Sequence, residues 1–445
     1  MNSLLPESLP FAVAEAASVL GALPERRRAV FALFGDEGNE PYVGVAADLK
    51  RRLSRLLTAD LAHPRRLQLA ARVRRIAWRV AGSAFEAQSV QFRLLAAVYG
   101  ERALDRMHLR APAFVRFHGS NAYPRLSVAA RLPREQADWF FGPFASRASA
   151  ERYCEEVLKL FLLRRCEENL HPDPAHPGCV YSEMKKCLAP CYQGCTDARY
   201  SQEAVAVREF LATRGESRLR VLGAERDAAS EQLEFERAAA LHAAFRQAES
   251  VRALAPEMVR PLAQLQACLV QPAAQPDAVA VFLFSDGFLR GPELFSTLGM
   301  RIQNEASGSS SLFAQPMMME PVPEPVMDRV MEPDAKIASA PTASTATRAA
   351  ARDALAERLD ATLARLEADN DAANNTGNMR RVGDLALLTR WYYRPAQQRA
   401  GEIFFAETDG RQGTGMWNRK AILRGIGRVA AAQIAQHAAE RQHRP

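Results

Sequence analysis

Four cysteines crowd into one short stretch. Cys166 is followed after twelve residues by Cys179, after seven more by Cys187, and after three more by Cys191. Pro172, Pro174, Pro177 and Gly178 lie among them, so the segment cannot run as a helix and reads as a loop. Thiolates are soft ligands, and a tetrahedral sulfur set selects zinc or an iron–sulfur cluster over magnesium or calcium. The plainer alternative is that several of these residues are ordinary buried cysteines behaving as small hydrophobes. The polar, loop-like character of the intervening residues favours the metal reading, and nothing in the sequence supplies the secretory context that disulfides need.

Around this loop lie Phe140-Phe141-Gly142-Pro143-Phe144, then Leu160-Phe161-Leu162-Leu163-Arg164-Arg165-Cys166, then Cys187-Leu188-Ala189-Pro190-Cys191. Together they resemble the middle of the UvrC family, the incision subunits of bacterial nucleotide excision repair. The resemblance implies a [4Fe–4S] cluster on Cys166, Cys179, Cys187 and Cys191, with zinc as the alternative. Cys195 is close enough to be a spare ligand, and Cys154 and Cys268 fall outside the pattern.

At 445 residues the chain is too long for one core, and two or three domains are expected. The net charge of +7 is modest, but arginine is concentrated in the front half: Arg26, Arg27 and Arg28, then Lys50, Arg51 and Arg52, then Arg55, Arg65, Arg66 and Arg72. Such a distribution suits sequence-independent contact with a phosphate backbone, and equally a solvated basic face. No apolar run is long enough to span a bilayer, and the N-terminus lacks a basic n-region. A cytoplasmic protein with no membrane partner is expected.

The first 26 residues read as a leading helix or arm. Ala29 to Phe34 and Pro41 to Val45 flank the turn-rich Gly35-Asp36-Glu37-Gly38-Asn39 and predict a β-hairpin. Leu49, Leu53, Leu56 and Leu57 recur at helical spacing behind a candidate cap at Asp48. A third strand at Ile76 to Val80 and a helix from Ser83 to Val98 follow.

This outline resembles the GIY-YIG nuclease domain of the same family, over residues 27–105. The resemblance implies two strand tyrosines beside the scissile phosphate, a helix arginine on that phosphate, and a glutamate holding magnesium or manganese. Tyr42 and Arg52 match the second tyrosine and the arginine. Phe31 stands where the first tyrosine belongs and has no hydroxyl. Gln91 stands at the glutamate position and brings no charge, which a hard dication needs. Val45 replaces a lysine, and Glu86, the nearest acid, lies five residues from Gln91 on another face of its helix. The centre is degenerate by this reading.

Tyr200 to Arg252 is rich in alanine, leucine and paired charges and contains no proline, so it predicts helices. Within it, Gln232-Leu233-Glu234-Phe235-Glu236-Arg237-Ala238-Ala239-Ala240-Leu241 is similar to the UVR motif. That similarity implies a helical hairpin whose Leu233, Phe235, Arg237, Ala238 and Leu241 dock a UvrB-like protein. Taken alone, an alanine-rich amphipathic helix is more often a bundle helix.

Residues 253–303 predict a β-hairpin region, 304–347 a Ser/Pro/Met/Ala-rich low-complexity linker, and 348–445 a helical, basic C-terminal region whose aromatics Trp391, Tyr392, Tyr393 and Trp417 suit either a core or base stacking. The expected fold class is α+β: a small N-terminal α/β domain, a middle region with the cysteine loop over 106–199, a helical hairpin over 200–252, and a mixed α/β C-terminal region interrupted by the linker. Neither the RNase-H-like nuclease nor the helix-hairpin-helix units of the family is found. The function expected is a UvrC-like repair protein that binds damaged DNA and docks a UvrB-like partner, with a weakened nuclease centre. The alternatives are an active metal-dependent nuclease making a single incision, and a nucleic-acid-binding protein with no role in repair.

Overall fold

The computed structural model describes residues 3–57, 69–132, 139–298, 300–303, 318–321, 345–368, 377–408 and 415–442. The chain is α+β, with three four-stranded antiparallel sheets, each partnered by helices. No helix among the described residues is long and apolar enough to cross a membrane.

The first unit contains β1 (Glu7–Pro10), α1 (Ala16–Gly21), β2 (Ala29–Phe34), β3 (Tyr42–Ala46), α2 (Leu49–Leu57), α3 (Leu69–Arg72), β4 (Arg75–Val80), α4 (Ala84–Tyr99) and α5 (Arg102–Arg106), its strands ordered β1-β4-β2-β3. The continuous apolar run of β2 suits an inner strand, since it is covered on both faces. Phe31, Leu33, Ile76 and Trp78 meet Leu49, Leu53 and Leu57 of α2 on one face. Val30, Ala32 and Ala77 meet Ala87, Val90 and Leu94 of α4 on the other. Asp48 accepts the Arg51 backbone N–H at 3.1 Å, and the Ser83 hydroxyl accepts that of Glu86 at 3.0 Å, so both helices begin on side-chain caps. Residues 7–23, which sequence alone sets apart as an arm, supply an edge strand paired to β4 and bury Phe11, Leu20 and Leu23.

The second unit holds β5 (Ala113–Phe117), β6 (Leu126–Ala129), β7 (Phe140–Phe144), α6 (Arg147–Leu160), α7 (Val180–Glu183), α8 (Asp197–Ala212), α9 (Glu216–Glu231), α10 (Phe235–Ala253) and β8 (Arg260–Pro261), in strand order β6-β5-β7-β8. Phe141 and Phe144 pack with Tyr153 and Val157 of α6 and Val207 and Phe210 of α8. Helices α9 and α10 run antiparallel, since Arg252 near the end of α10 reaches Glu216 at the start of α9 at 3.0 Å. Only Leu219, Leu222 and Ala248 form the buried core of that pair.

The third unit is built from β9 (Ala267–Pro272), β10 (Ala278–Ser285), β11 (Phe288–Ser296), β12 (Met300–Gln303), β13 (Met318–Pro321), α11 (Thr345–Ala368), α12 (Gly377–Tyr392), β14 (Glu402–Phe405), β15 (Glu407–Thr408), β16 (Gly415–Met416) and α13 (Arg419–Gln442). Its main sheet is ordered β11-β10-β9-β14, so the hairpin and the C-terminal block, separate in sequence, form one body. Every residue of β10 is buried. Its odd-numbered residues Val279, Val281 and Leu283 face α11 and α13, while Ala280, Phe282 and Phe284 face α12. Apart from 318–321 and 345–347, the linker expected over 304–347 lies outside the described residues.

The first and third units share a dry seam along α4. Phe85 meets Phe282 edge-on at 5.3 Å and Trp391 at 5.7 Å. Arg93 donates to the carbonyls of Gly291 at 2.8 Å and Leu289 at 2.9 Å. Asp384, fully buried on α12, accepts the Leu289 N–H at 3.1 Å, and burial raises its carboxyl above the usual range. Gly82 sits so close to β9 that a Cβ there would lie 2.2 Å from the Ala273 carbonyl carbon. Backbone cannot give way as a side-chain tip does, so Gly82→Ala should lower stability by about 1–3 kcal/mol. Urea unfolding of the full chain measures this; an unchanged midpoint would refute the seam's tightness.

His118 is a half-buried polar feature of the second unit. Its Nε2 is 2.8 Å from the Ser127 hydroxyl. Burial, reinforced by Arg125, Arg116 and Arg164, pushes its pKa down from 6.5 to about 4. A histidine held neutral in the fold but protonated in the unfolded chain contributes stability above pH 6.5, and that contribution is lost as pH falls through about 4. Denaturant midpoints should therefore drop between pH 7 and pH 5, and the drop should shrink in His118→Asn. An equal drop in both proteins would remove His118 as its cause.

Candidate functional site

Sequence reasoning marks three places, and the structure treats each differently. The first is the open edge of the N-terminal sheet. Phe31 pairs with Gly44 across β2 and β3, and its ring lies over that glycine, where a Cβ would be 2.8 Å from Cζ. Any other residue at 44 would displace the ring. Tyr42, two residues along β3 and on the same face, is 41% exposed, with its ring 6.1 Å from Phe31. Arg52 is exposed on α2, the helix covering that face. Gln91 is half-buried on α4, which covers the opposite face. The fold thus brings Phe31 and Tyr42 together and puts Arg52 and Gln91 on helices separated by the sheet. Glu86 is 5% exposed and accepts the Gly82 N–H at 2.8 Å, with its pKa raised by burial. It is a helix-capping group at the seam.

The second place is the cysteine loop, where the metal expectation is corrected. Among the described residues, no group of three or more His, Cys, Asp or Glu side chains is positioned to hold a metal ion. This overturns the expected [4Fe–4S] cluster on Cys166, Cys179, Cys187 and Cys191 and its zinc alternative. It also overturns the magnesium or manganese expected if the N-terminal centre were catalytic. The physical reason is that spacing along the chain does not force sulfurs to converge. Cys179 sits at the start of α7, where its N–H donates to the Ser182 hydroxyl at 3.0 Å. Cys191 lies inside the 3-10 turn Pro190–Tyr192. The Cys187 sulfur accepts the Ala189 N–H at 3.3 Å, and that of Cys166 accepts from Arg164 at 3.4 Å.

All seven cysteines are free thiols. Burial, with smaller contributions from Cys166, Cys179 and Cys191, pushes the Cys187 thiol up to about 11. Burial likewise raises Cys191 and Cys195. Cys154 and Cys268, already outside the pattern, are buried and pushed up to about 12.

What fastens the loop is Arg164, which is only 2% exposed. Its guanidinium donates to the carbonyls of Tyr123 at 2.9 Å, Cys166 at 3.1 Å and Glu168 at 2.8 Å. Its backbone N–H donates to the Tyr200 hydroxyl at 3.0 Å, which in turn donates to the Pro124 carbonyl at 2.8 Å. A planar guanidinium with several forked donors can tie two separate stretches of chain together. Sequence reasoning quoted Arg164 within a motif and missed this role, because an arginine nearly always reads as surface.

The third place is the tip of the α9–α10 pair. Leu233, in the turn with φ +60°, is 70% exposed, and Phe235 at the start of α10 is 68% exposed. Arg237 pairs with Glu234 at 2.8 Å. Ala238 and Leu241 are half-buried, Leu241 against the small core of the pair. A leucine and a phenylalanine adjacent in space and both open to solvent form an apolar patch that folding does not require. A fourth place was not marked from the sequence: a pocket beside Trp139, discussed below.

Residues 113–210 match the family described as UvrC/Cho excinuclease, middle domain. Similar proteins include the UvrABC system protein C of Ruegeria sp. (strain TM1040), 28% identical over 52% of this chain and 36% of its own length. That of Aliivibrio fischeri is 25% identical over 47% of this chain and 34% of its own. That of Escherichia coli O1:K1 is 27% identical over 47% and 34%. The match thus spans about a third of the length of these relatives. No solved structure matches. Over about half its length, then, this α+β chain is homologous to the UvrABC system protein C family at 25–28% identity.

Proposed function

We propose that this chain is a UvrC-like DNA-repair component that binds DNA and docks a UvrB-like partner through the tip of its α9–α10 hairpin. The observation carrying this reading is the solvent-exposed pair Leu233 and Phe235, 70% and 68% exposed on a narrow antiparallel arm. Exposed apolar anchors rimmed by a charge pair suit the centre of a small interface, with Arg237 and Glu234 at its border. The homology with UvrABC system protein C is what makes a UvrB-like protein the expected occupant.

In this reading the N-terminal domain is GIY-YIG-like with a degenerate centre. A buried phenylalanine supplies no hydroxyl, and Gln91 supplies no charge and stands across the sheet from Arg52. Tyr42 and Arg52 then serve phosphate contact, with the exposed Arg51 beside Arg52 on α2 to extend it. A second reading, a working nuclease making one incision, is favoured by one observation: Tyr42 and Arg52 are both exposed on the same side of the sheet. Nicking of lesion-bearing DNA by the wild type that disappears in Arg52→Ala would establish it in place of the first.

The docking claim has a direct test. Purified UvrB-like protein should bind wild type at least tenfold more tightly than Phe235→Asp, as removal of an interface anchor does. The variant should melt within about 1 °C of wild type, because surface substitutions away from packed features cost little. Equal affinity of the two proteins, or no binding by either, would dispose of the proposed interface.

A further inference from the structure

A pocket of about 340 Å³ opens between β7, α8 and the turn after β8, lined by Trp139, Phe141, Arg208, Ala212, Pro261 and Gln264. That is the small end of ligand pockets, with room for one ring system. Its main wall is the Trp139 indole, which is held flat. Phe117 stacks on it at 5.4 Å with the planes 17° apart. Gly119 lets the chain pass the ring edge, since a Cβ there would come within 2.0 Å of the indole carbons. A half-exposed tryptophan backed so firmly is a preorganised platform, and its rotamer entropy is already spent.

The remaining walls add two kinds of polar group. The Arg208 guanidinium lies over the indole, 5.6 Å from its centroid and within cation–π range, on an exposed side chain of α8 that can turn toward a phosphate. Gln264, half-exposed, carries both a donor and an acceptor and can match the edge of any base. No carboxylate lines the pocket among the described residues, so a phosphate at its mouth meets a cation and no opposing charge. A flat aromatic, a nearby guanidinium and a carboxamide are the parts from which single-strand binding sites are made.

We propose that this pocket holds one unpaired nucleobase of DNA, stacked on Trp139, with Gln264 on its edge and Arg208 on the adjoining phosphate. The inference rests on the DNA-binding reading above and deepens it: besides phosphate contact, the chain takes hold of a base extruded from, or absent from, a duplex. Duplex DNA keeps its bases stacked and cannot fill the pocket without unpairing.

The test separates base from phosphate. Fluorescence anisotropy of the full chain is measured with a short labelled single strand, the same strand made of abasic sites, and the corresponding duplex. Wild type should prefer the base-bearing strand over the abasic one by about tenfold, in the range of one stacked base. Gln264→Ala and Trp139→Leu should lose most of that preference while keeping wild-type affinity for the abasic strand. Trp139→Leu also disturbs the Phe117 stack, so Gln264→Ala carries the test if the first variant fails to fold. Equal binding of base-bearing and abasic strands by wild type would overturn the pocket and leave DNA binding standing. Binding of neither strand nor of duplex would overturn both. A preference that survives in Gln264→Ala and Trp139→Leu alike would place the base elsewhere and overturn the assignment.

Discussion

Helix α4 is packed on two sides at once, and the arrangement of the first and third units depends on it. One stripe, Ala87, Val90 and Leu94, belongs to the N-terminal sheet. A second, Phe85 and Phe92, enters the cores made with α12 and the third sheet. A helix buried on two stripes has little surface left for solvent, and this one is accordingly apolar almost all round. The close approach is made possible by missing side chains: Gly383 lets α12 settle onto Phe92, and Gly82 lets the start of α4 meet β9. Polar groups at this seam are then obliged to find partners, which Arg93 does on two carbonyls and Asp384 on a backbone N–H.

That constraint bears on the candidate nuclease face. Gln91 sits on a helix whose surface is mostly committed to packing, and Glu86 is consumed as a cap. The surface left open around Tyr42 is therefore on the α2 side, where Arg51 and Arg52 are exposed. Exposed arginines are suited to holding phosphate, the role proposed for this face.

Much of the fold was legible because pattern and burial coincide. The continuous apolar runs of β2 and β10, the turn between β2 and β3, and the 3.6-residue spacing of α2 each declared a local structure, and each formed. What escaped was long-range. Strand β1 is four residues with no alternation, and only β4 gives it a place. Strand β14 joins β9 from more than a hundred residues away, so no local signal could unite the hairpin with the C-terminal block. The cysteine loop misled for a related reason: short spacing along a chain does not by itself assemble a metal-holding group, and none forms among the described residues. The ties of Arg164 to Tyr123 and Tyr200, and of Trp139 to Phe117 and Gly119, join segments about twenty to forty residues apart, which no local pattern declares.

The α9–α10 arm shows how exposure can be argued from architecture. The chain leaves the second sheet, runs out and back along two helices, and returns to complete that sheet with β8 beside β7. Near its base Val251 enters the sheet's core, and Phe161 and Phe210 of that core pack edge to face. Leu219, Leu222 and Ala248 bury the half of the pair nearer its base, and at the tip Leu233 and Phe235 stand exposed. Apolar residues there lower solubility without adding to the core. Their presence is intelligible if another surface covers them, and the arm holds them clear of the body, where such a surface can reach both.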